Sequence, residues 1–76
     1  MPNEVTISSG SSVSWINDDS AAHTVTSGTV TAGVTGIFDS GLLMAGATFE
    51  FTFDEAGKYD YFCMVHPWMT GTVNVN

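Results

Sequence analysis

Apolar and polar side chains alternate in several short runs of this chain: Val5 and Ile7; Val13 and Trp15; Phe49, Phe51 and Phe53; Tyr59 and Tyr61; Val73 and Val75. A period of two sends successive side chains to opposite faces, so each run predicts a half-buried strand. Between them stand Ser8-Ser9-Gly10-Ser11-Ser12, Asn17-Asp18-Asp19-Ser20 and Asp54-Glu55-Ala56-Gly57, residue types that supply turn conformations and local side-chain hydrogen bonds. No stretch carries a helical repeat. Short strands separated by such turns predict an all-β fold, a small Greek-key sandwich whose two sheets close over inward aromatics. With no repeat, linker or low-complexity tract, residues 1–76 are expected to form a single domain.

Strand direction then places the loops. If Val13–Asn17 runs toward one end of the sandwich, Asp18–Ala22 and His23 lie at that end, and the next strand leads away. Tyr59–Phe62 must return for Cys63 to meet His23, which puts the Asp54–Gly57 turn at the far end. The Leu42–Gly46 connection, ahead of the Phe49–Phe53 strand, is expected back at the His23 end.

Size changes the picture next. A chain of 76 residues buries only around 60% of the surface that it exposes when unfolded, so it needs a staple. One cysteine cannot form an internal disulfide, and a metal becomes the first candidate. Glu4, Asp18, Asp19, Asp39, Glu50, Asp54, Glu55 and Asp60 face only Lys58, for a net charge of −7. That balance excludes nucleic acid as a natural partner. It fits either steering toward a basic partner or salty surroundings. No apolar run reaches the ~20 residues of a membrane span, and Met1-Pro2-Asn3-Glu4 has neither the basic nor the apolar region of a signal peptide.

The candidate chemistry sits in Cys63-Met64-Val65-His66-Pro67-Trp68-Met69, which offers a thiolate, an imidazole and a thioether at regular spacing in one segment. Thiolate and thioether favour copper(I), and imidazole serves both copper oxidation states. Two His and one Cys in a trigonal array with a distant Met describe a blue-copper electron-transfer site. His23 is the only other histidine. Each residue alone has a plainer reading, the cysteine as a small buried hydrophobe and the methionine as core filler. Together they use every Cys and His of the chain in one site. Zinc is the competing metal, but structural zinc sites normally take four Cys or His ligands, and this chain offers three.

These residues, with Val13-Ser14-Trp15-Ile16-Asn17, His23-Thr24-Val25, Ala56-Gly57-Lys58-Tyr59-Asp60-Tyr61-Phe62-Cys63 and Gly71-Thr72-Val73, resemble the cupredoxins over nearly the whole chain. The likeness is greatest to the amicyanin, pseudoazurin and plastocyanin group, and the Cys63, His66, Met69 spacing with Pro67 is similar to that of the amicyanin type. The resemblance implies a cupredoxin-type sandwich with His23 Nδ1, Cys63 Sγ and His66 Nδ1 equatorial, Met69 axial, and the Ala22 carbonyl opposite. It implies a core containing Trp15, Phe51, Phe53, Tyr59 and Tyr61. Thr24 stands where relatives commonly carry Asn, and a smaller hydrogen-bonder there is expected to hold the Cys63 loop less firmly. Trp68 stands where Phe is familiar and is expected to add bulk beside the metal. The resemblance leads one to expect a first strand upstream of the segment like Met1–Ile7, and its absence from these residues is read either as a minimal version or as a truncated product.

The function implied is single-electron transfer between redox partners by an outer-sphere route, through one copper ion cycling between Cu(II) and Cu(I). His66 is the expected exit, through a patch built from Pro67, Trp68, Leu43 and Met44. One alternative leaves the axial position open, as in a small redox enzyme or a sensor for a ligand such as nitric oxide. Another is a copper carrier. The expected partner is a redox protein that is basic at its docking face. A homo-oligomer through an exposed strand edge at Val5 and Ile7 is a further expectation, and the family implies a periplasmic or cell-surface location.

Overall fold

Every alternating run forms a strand, and two more strands lie between His23 and Gly41. In chain order they are β1 (Glu4–Ile7), β2 (Ser11–Ile16), β3 (Thr26–Thr29), β4 (Gly33–Asp39), β5 (Thr48–Phe53), β6 (Gly57–Phe62) and β7 (Thr70–Val75). The computed structural model describes residues 4–76; Met1, Pro2 and Asn3, read above as a start without a leader, lie outside the described residues. Five strands make one sheet in the order β1-β7-β6-β3-β4, and β2 pairs with β5 in a second. β1 runs parallel to β7, and the other pairings are antiparallel. The result is an all-β sandwich. Among the described residues β1 is paired on one side only, so it forms a sheet margin.

The inward positions of the two sheets meet as the alternation requires. Trp15, Val25, Phe38, Leu43, Phe53, Tyr61, Val73 and Val75 form the buried cluster. Trp15 centres it, with Tyr61 edge-on at 5.5 Å and Phe38 at 5.8 Å between ring centroids, separations at which aromatic pairs attract beyond simple burial. Phe51 and Tyr59, expected in the core, are only half-buried. The two-stranded sheet is too narrow to cover its five-stranded partner, and a groove lined by Ile37, Phe51, Phe53 and Tyr59 remains along that margin.

β3 is the strand that periodicity could not reveal. Its sequence, Thr-Ser-Gly-Thr, has no apolar residue, yet Thr26, Ser27 and Gly28 are buried because β3 lies between β4 and β6. The register with β4 shifts between Thr26 and Gly28. At this irregularity Ser27 Oγ replaces ladder bonds, accepting the Phe38 N–H at 3.0 Å and donating to the Phe38 carbonyl at 3.0 Å. Gly28 follows with φ at +126°, and a Cβ there would collide with the Gly33 carbonyl oxygen, so glycine alone fits.

The strand directions deliver the loops as expected. The Leu42–Gly46 connection does return to the His23 end: His23 N–H donates to Leu43 O at 3.0 Å and Leu43 N–H to His23 O at 2.7 Å. β6 ends at Phe62, which places Cys63 beside that bridge.

Candidate metal centre

Cys63 is fully buried, at 0% exposure, at the start of the loop that joins β6 to β7. The loop is tightened by its own backbone, with Cys63 N–H donating to Met69 O at 3.0 Å and Met69 N–H to His66 O at 2.9 Å. Two N–H groups point at the sulfur, from Thr24 and from His66, each at 3.3 Å. His23 Nδ1 lies 3.6 Å from Sγ and His66 Nδ1 3.8 Å from it. The three candidate donors all fall within 4.8 Å of one another. Residues forty apart in sequence are thus brought together by the return of β6 to the end where β2 stops.

Second contacts orient the imidazole. His23 Nε2–H donates to Asp19 Oδ2 at 3.0 Å. A carboxylate only accepts, so the proton of a neutral His23 sits on Nε2 and the Nδ1 lone pair faces the sulfur. That hydrogen bond, and then the one that a protonated ring gives from Nδ1–H to Cys63, raises the His23 pKa. The same contact, followed by N–H donation from Ala21 and Ser20, lowers that of Asp19. Asn17 holds the loop by donating to the carbonyls of Ala21 and Leu43, each at 2.8 Å, while its Oδ1 accepts the Asp19 N–H.

Burial pushes the Cys63 thiol up, but the Thr24 N–H, the two imidazoles and the His66 N–H outweigh it and bring the pKa from 9.0 down to about 6. The metal-free protein is therefore expected to titrate its thiol near pH 6, followed by thiolate ultraviolet absorbance, against about 8.5 for a free cysteine. The sign follows from the lowered value: the stabilisation is complete above the unfolded thiol's pKa and is lost as pH falls through about 6. A midpoint near 8.5 would mean that these donors do not act on the sulfur.

A buried thiol that is a thiolate at neutral pH, faced by two imidazole nitrogens, is a metal-ligand set. An ion meeting donors at these separations would lie about 2.0–2.4 Å from each, the range of first-row metal bonds to nitrogen and sulfur. The sequence pattern of the copper-binding proteins of the plastocyanin/azurin family matches residues 1–76. The chain belongs to this family.

Among known cupredoxins, the amicyanin of Paracoccus versutus is 39% identical over 74 residues, which are 95% of this chain and 54% of that protein. Amicyanin-alpha of Methylorubrum extorquens is 38% identical over 74 residues, 95% of this chain and 60% of that protein. The chain thus spans a little over half the length of the curated relatives it matches. Of solved structures, a purple cupredoxin from Nitrosopumilus maritimus has a TM-score of 0.90 at 41% identity, covering 96% of this chain and 77% of that one. A Cu(I) form of an amicyanin variant has a TM-score of 0.85 at 33% identity, covering 99% and 70%. One copper is this family's cofactor, and the donors described here fit it.

Within this cupredoxin three residues singled out in the sequence take definite places, and one of them, Leu43, departs from expectation. Thr24 does tie the two ligand segments: its Oγ1 accepts the Met64 N–H at 2.8 Å, so the short side chain reaches because its backbone already touches the sulfur. Trp68 is 75% exposed and sets its ring edge-on to His66 at 5.3 Å between centroids, so its bulk stands beside a candidate ligand with most of the ring in solvent. Leu43 is buried by its bridge to His23, and Leu42 is the exposed residue of that pair. Met69 lines a cavity of about 70 Å³ together with His23, Trp15, Asn17 and Leu43. Asp19 and Asn17 were legible only as turn formers, since nothing local marks a carboxylate as a histidine's partner.

Proposed function

We propose that residues 1–76 act as one type 1 copper domain that carries single electrons, with His23, Cys63 and His66 as equatorial ligands and Met69 as the weak axial one. The carrying observation is the convergence of two Nδ1 atoms on a thiolate sulfur at 3.6 and 3.8 Å. Bound copper supplies a one-electron couple with no bond to a substrate. The chain's part is to hold one geometry for both oxidation states. The N–H groups of Thr24 and His66 fix the sulfur, and Asp19 fixes the His23 ring. A reversible one-electron titration of the copper-loaded protein, read by visible absorption, tests the reading; a colour that does not return on reoxidation rejects it.

His66 is the proposed exit. Met64, Val65 and Trp68 on its own loop are exposed, as are Leu42 and Met44 on either side of the Leu43 bridge to His23, apolar residues of the kind that a docking site offers. The proposed partner is a redox protein with basic residues around its own apolar face, met in the periplasm or at the cell surface. Asp19 is engaged by His23, so among the described residues Asp18 is the carboxylate of that loop without an ion pair. Association is expected to slow as salt shortens the Debye length from about 30 Å to about 8 Å. Asp18→Asn is expected to weaken that dependence more than Asp54→Asn, at the far turn. Stopped-flow rates that ignore salt would leave the acidity without a role in docking.

A second reading, a copper with an open axial position acting on a small ligand, is favoured by the cavity beside His23 and Met69. Electron paramagnetic resonance of the copper(II) form separates the two by the strength of the axial ligand.

A further inference from the structure

We propose that Asp39 is a positioning residue for the metal loop, acting through an oriented chain of two threonine hydroxyls that ends on the peptide after Cys63. This rests on the copper reading above for its effect on the metal, but not for the chain itself.

Asp39 closes β4 and is the register partner of Thr26 on β3. Thr26 Oγ1 lies 3.3 Å from Asp39 Oδ1 and 2.9 Å from Thr24 Oγ1. Thr24 Oγ1 accepts the Met64 N–H at 2.8 Å. Each hydroxyl has one proton to give, and an ionised carboxylate can only accept. The Thr26 proton therefore points to Asp39, the Thr24 proton to Thr26, and the Thr24 lone pairs to Met64. Reversing the chain would aim the Thr24 proton at the Met64 N–H. Asp39 is itself anchored, since its Oδ1 also accepts the Gly41 N–H at 2.9 Å.

Thr24 is 6% exposed and Thr26 0%, so water does not compete along the chain. Hydrogen bonds in series in such surroundings polarise one another. Two consequences follow for the metal. The Cys63–Met64 peptide is pinned, which fixes where the sulfur meets the Thr24 and His66 N–H groups. The oxygen ends of the hydroxyl dipoles face the site and favour the more positive, oxidised ion. An exposed acid on β4 thereby acts on the ligand loop without touching a ligand.

The test uses Thr26→Val, Thr26→Ser and Asp39→Asn. Hydrogen exchange of the Met64 amide is read in the copper-free protein, with the Val73 amide as the reference for global opening. Thr26→Val is expected to speed Met64 exchange by up to about twofold relative to Val73, because the Met64 bond to Thr24 remains and loses only the polarisation supplied by the bonds behind it. Asp39→Asn should speed it less, and Thr26→Ser should restore it. In the copper-loaded protein, Thr26→Val and Asp39→Asn should raise the reduction potential, and Thr26→Ser should leave it unchanged. Met64 exchange that merely tracks Val73 would overturn the chain. Faster Met64 exchange with an unmoved potential would overturn its action on the metal. If Thr26→Val does not fold, Asp39→Asn at the exposed end decides alone. A protein that takes up no copper would sink the electron-carrier reading, while the amide exchange still judges the chain.

Discussion

Replacing Cys63 by Ser is expected to abolish the intense visible band of the copper(II) protein. The band is a transfer of charge from thiolate to copper, and the chain has a single cysteine, so no second sulfur anion can replace it. Serine keeps the size of the side chain, but its hydroxyl stays protonated where the thiol is brought to about 6 by the donors around it. Two N–H groups that now point at the sulfur, from Thr24 and His66, would face a shorter, neutral oxygen. Copper affinity should fall with the colour, while the fold, held by the aromatic core, should persist by circular dichroism. A Cys63→Ser protein that keeps the band would overturn the ligand assignment.

The second large effect is on stability. Copper binding is expected to raise the unfolding midpoint by about 15–30 °C when free copper exceeds the dissociation constant about a thousandfold. Mass action then adds about 4 kcal/mol, and each kcal/mol moves the midpoint of a domain this small by about 4–8 °C. The sign comes from architecture. The donors belong to segments forty residues apart, so the site exists only when β6 and the loop after β2 meet, and the unfolded chain cannot match it. Calorimetry of the copper-free and copper forms, with Cys63→Ser as control, measures it. Equal midpoints would mean that the sandwich needs no staple.

How much could be read from the sequence depended on whether the cause was local. The alternation of Val13 and Trp15, or of Phe49, Phe51 and Phe53, is a property of one strand, and each such run became the strand it predicts. The Cys63, His66, Met69 spacing is likewise local, and its loop needs only its own backbone bonds to close. Strand direction carried the reading one step further, since the Leu42–Gly46 connection does lie against His23.

Tertiary structure decided what depends on neighbours. β3 has no hydrophobic period because its buried Thr26, Ser27 and Gly28 are satisfied by β4 and β6 rather than by transfer from water. Phe51 and Tyr59 carry the right pattern but are half-buried, because both face the groove left open at the margin between the two sheets, which no pattern within one strand reveals. Which of Leu42 and Leu43 faces outward was fixed by a single bridge to His23, and a loop has no period from which to read it. The same holds for Asp19 on His23 and for the run from Asp39 through Thr26 and Thr24 to Met64. The sequence by itself determined the strands and the donor atoms. Their convergence on the sulfur, and the hydrogen bonds that aim them, come from contacts between segments far apart in the chain, where composition and spacing carry no signal.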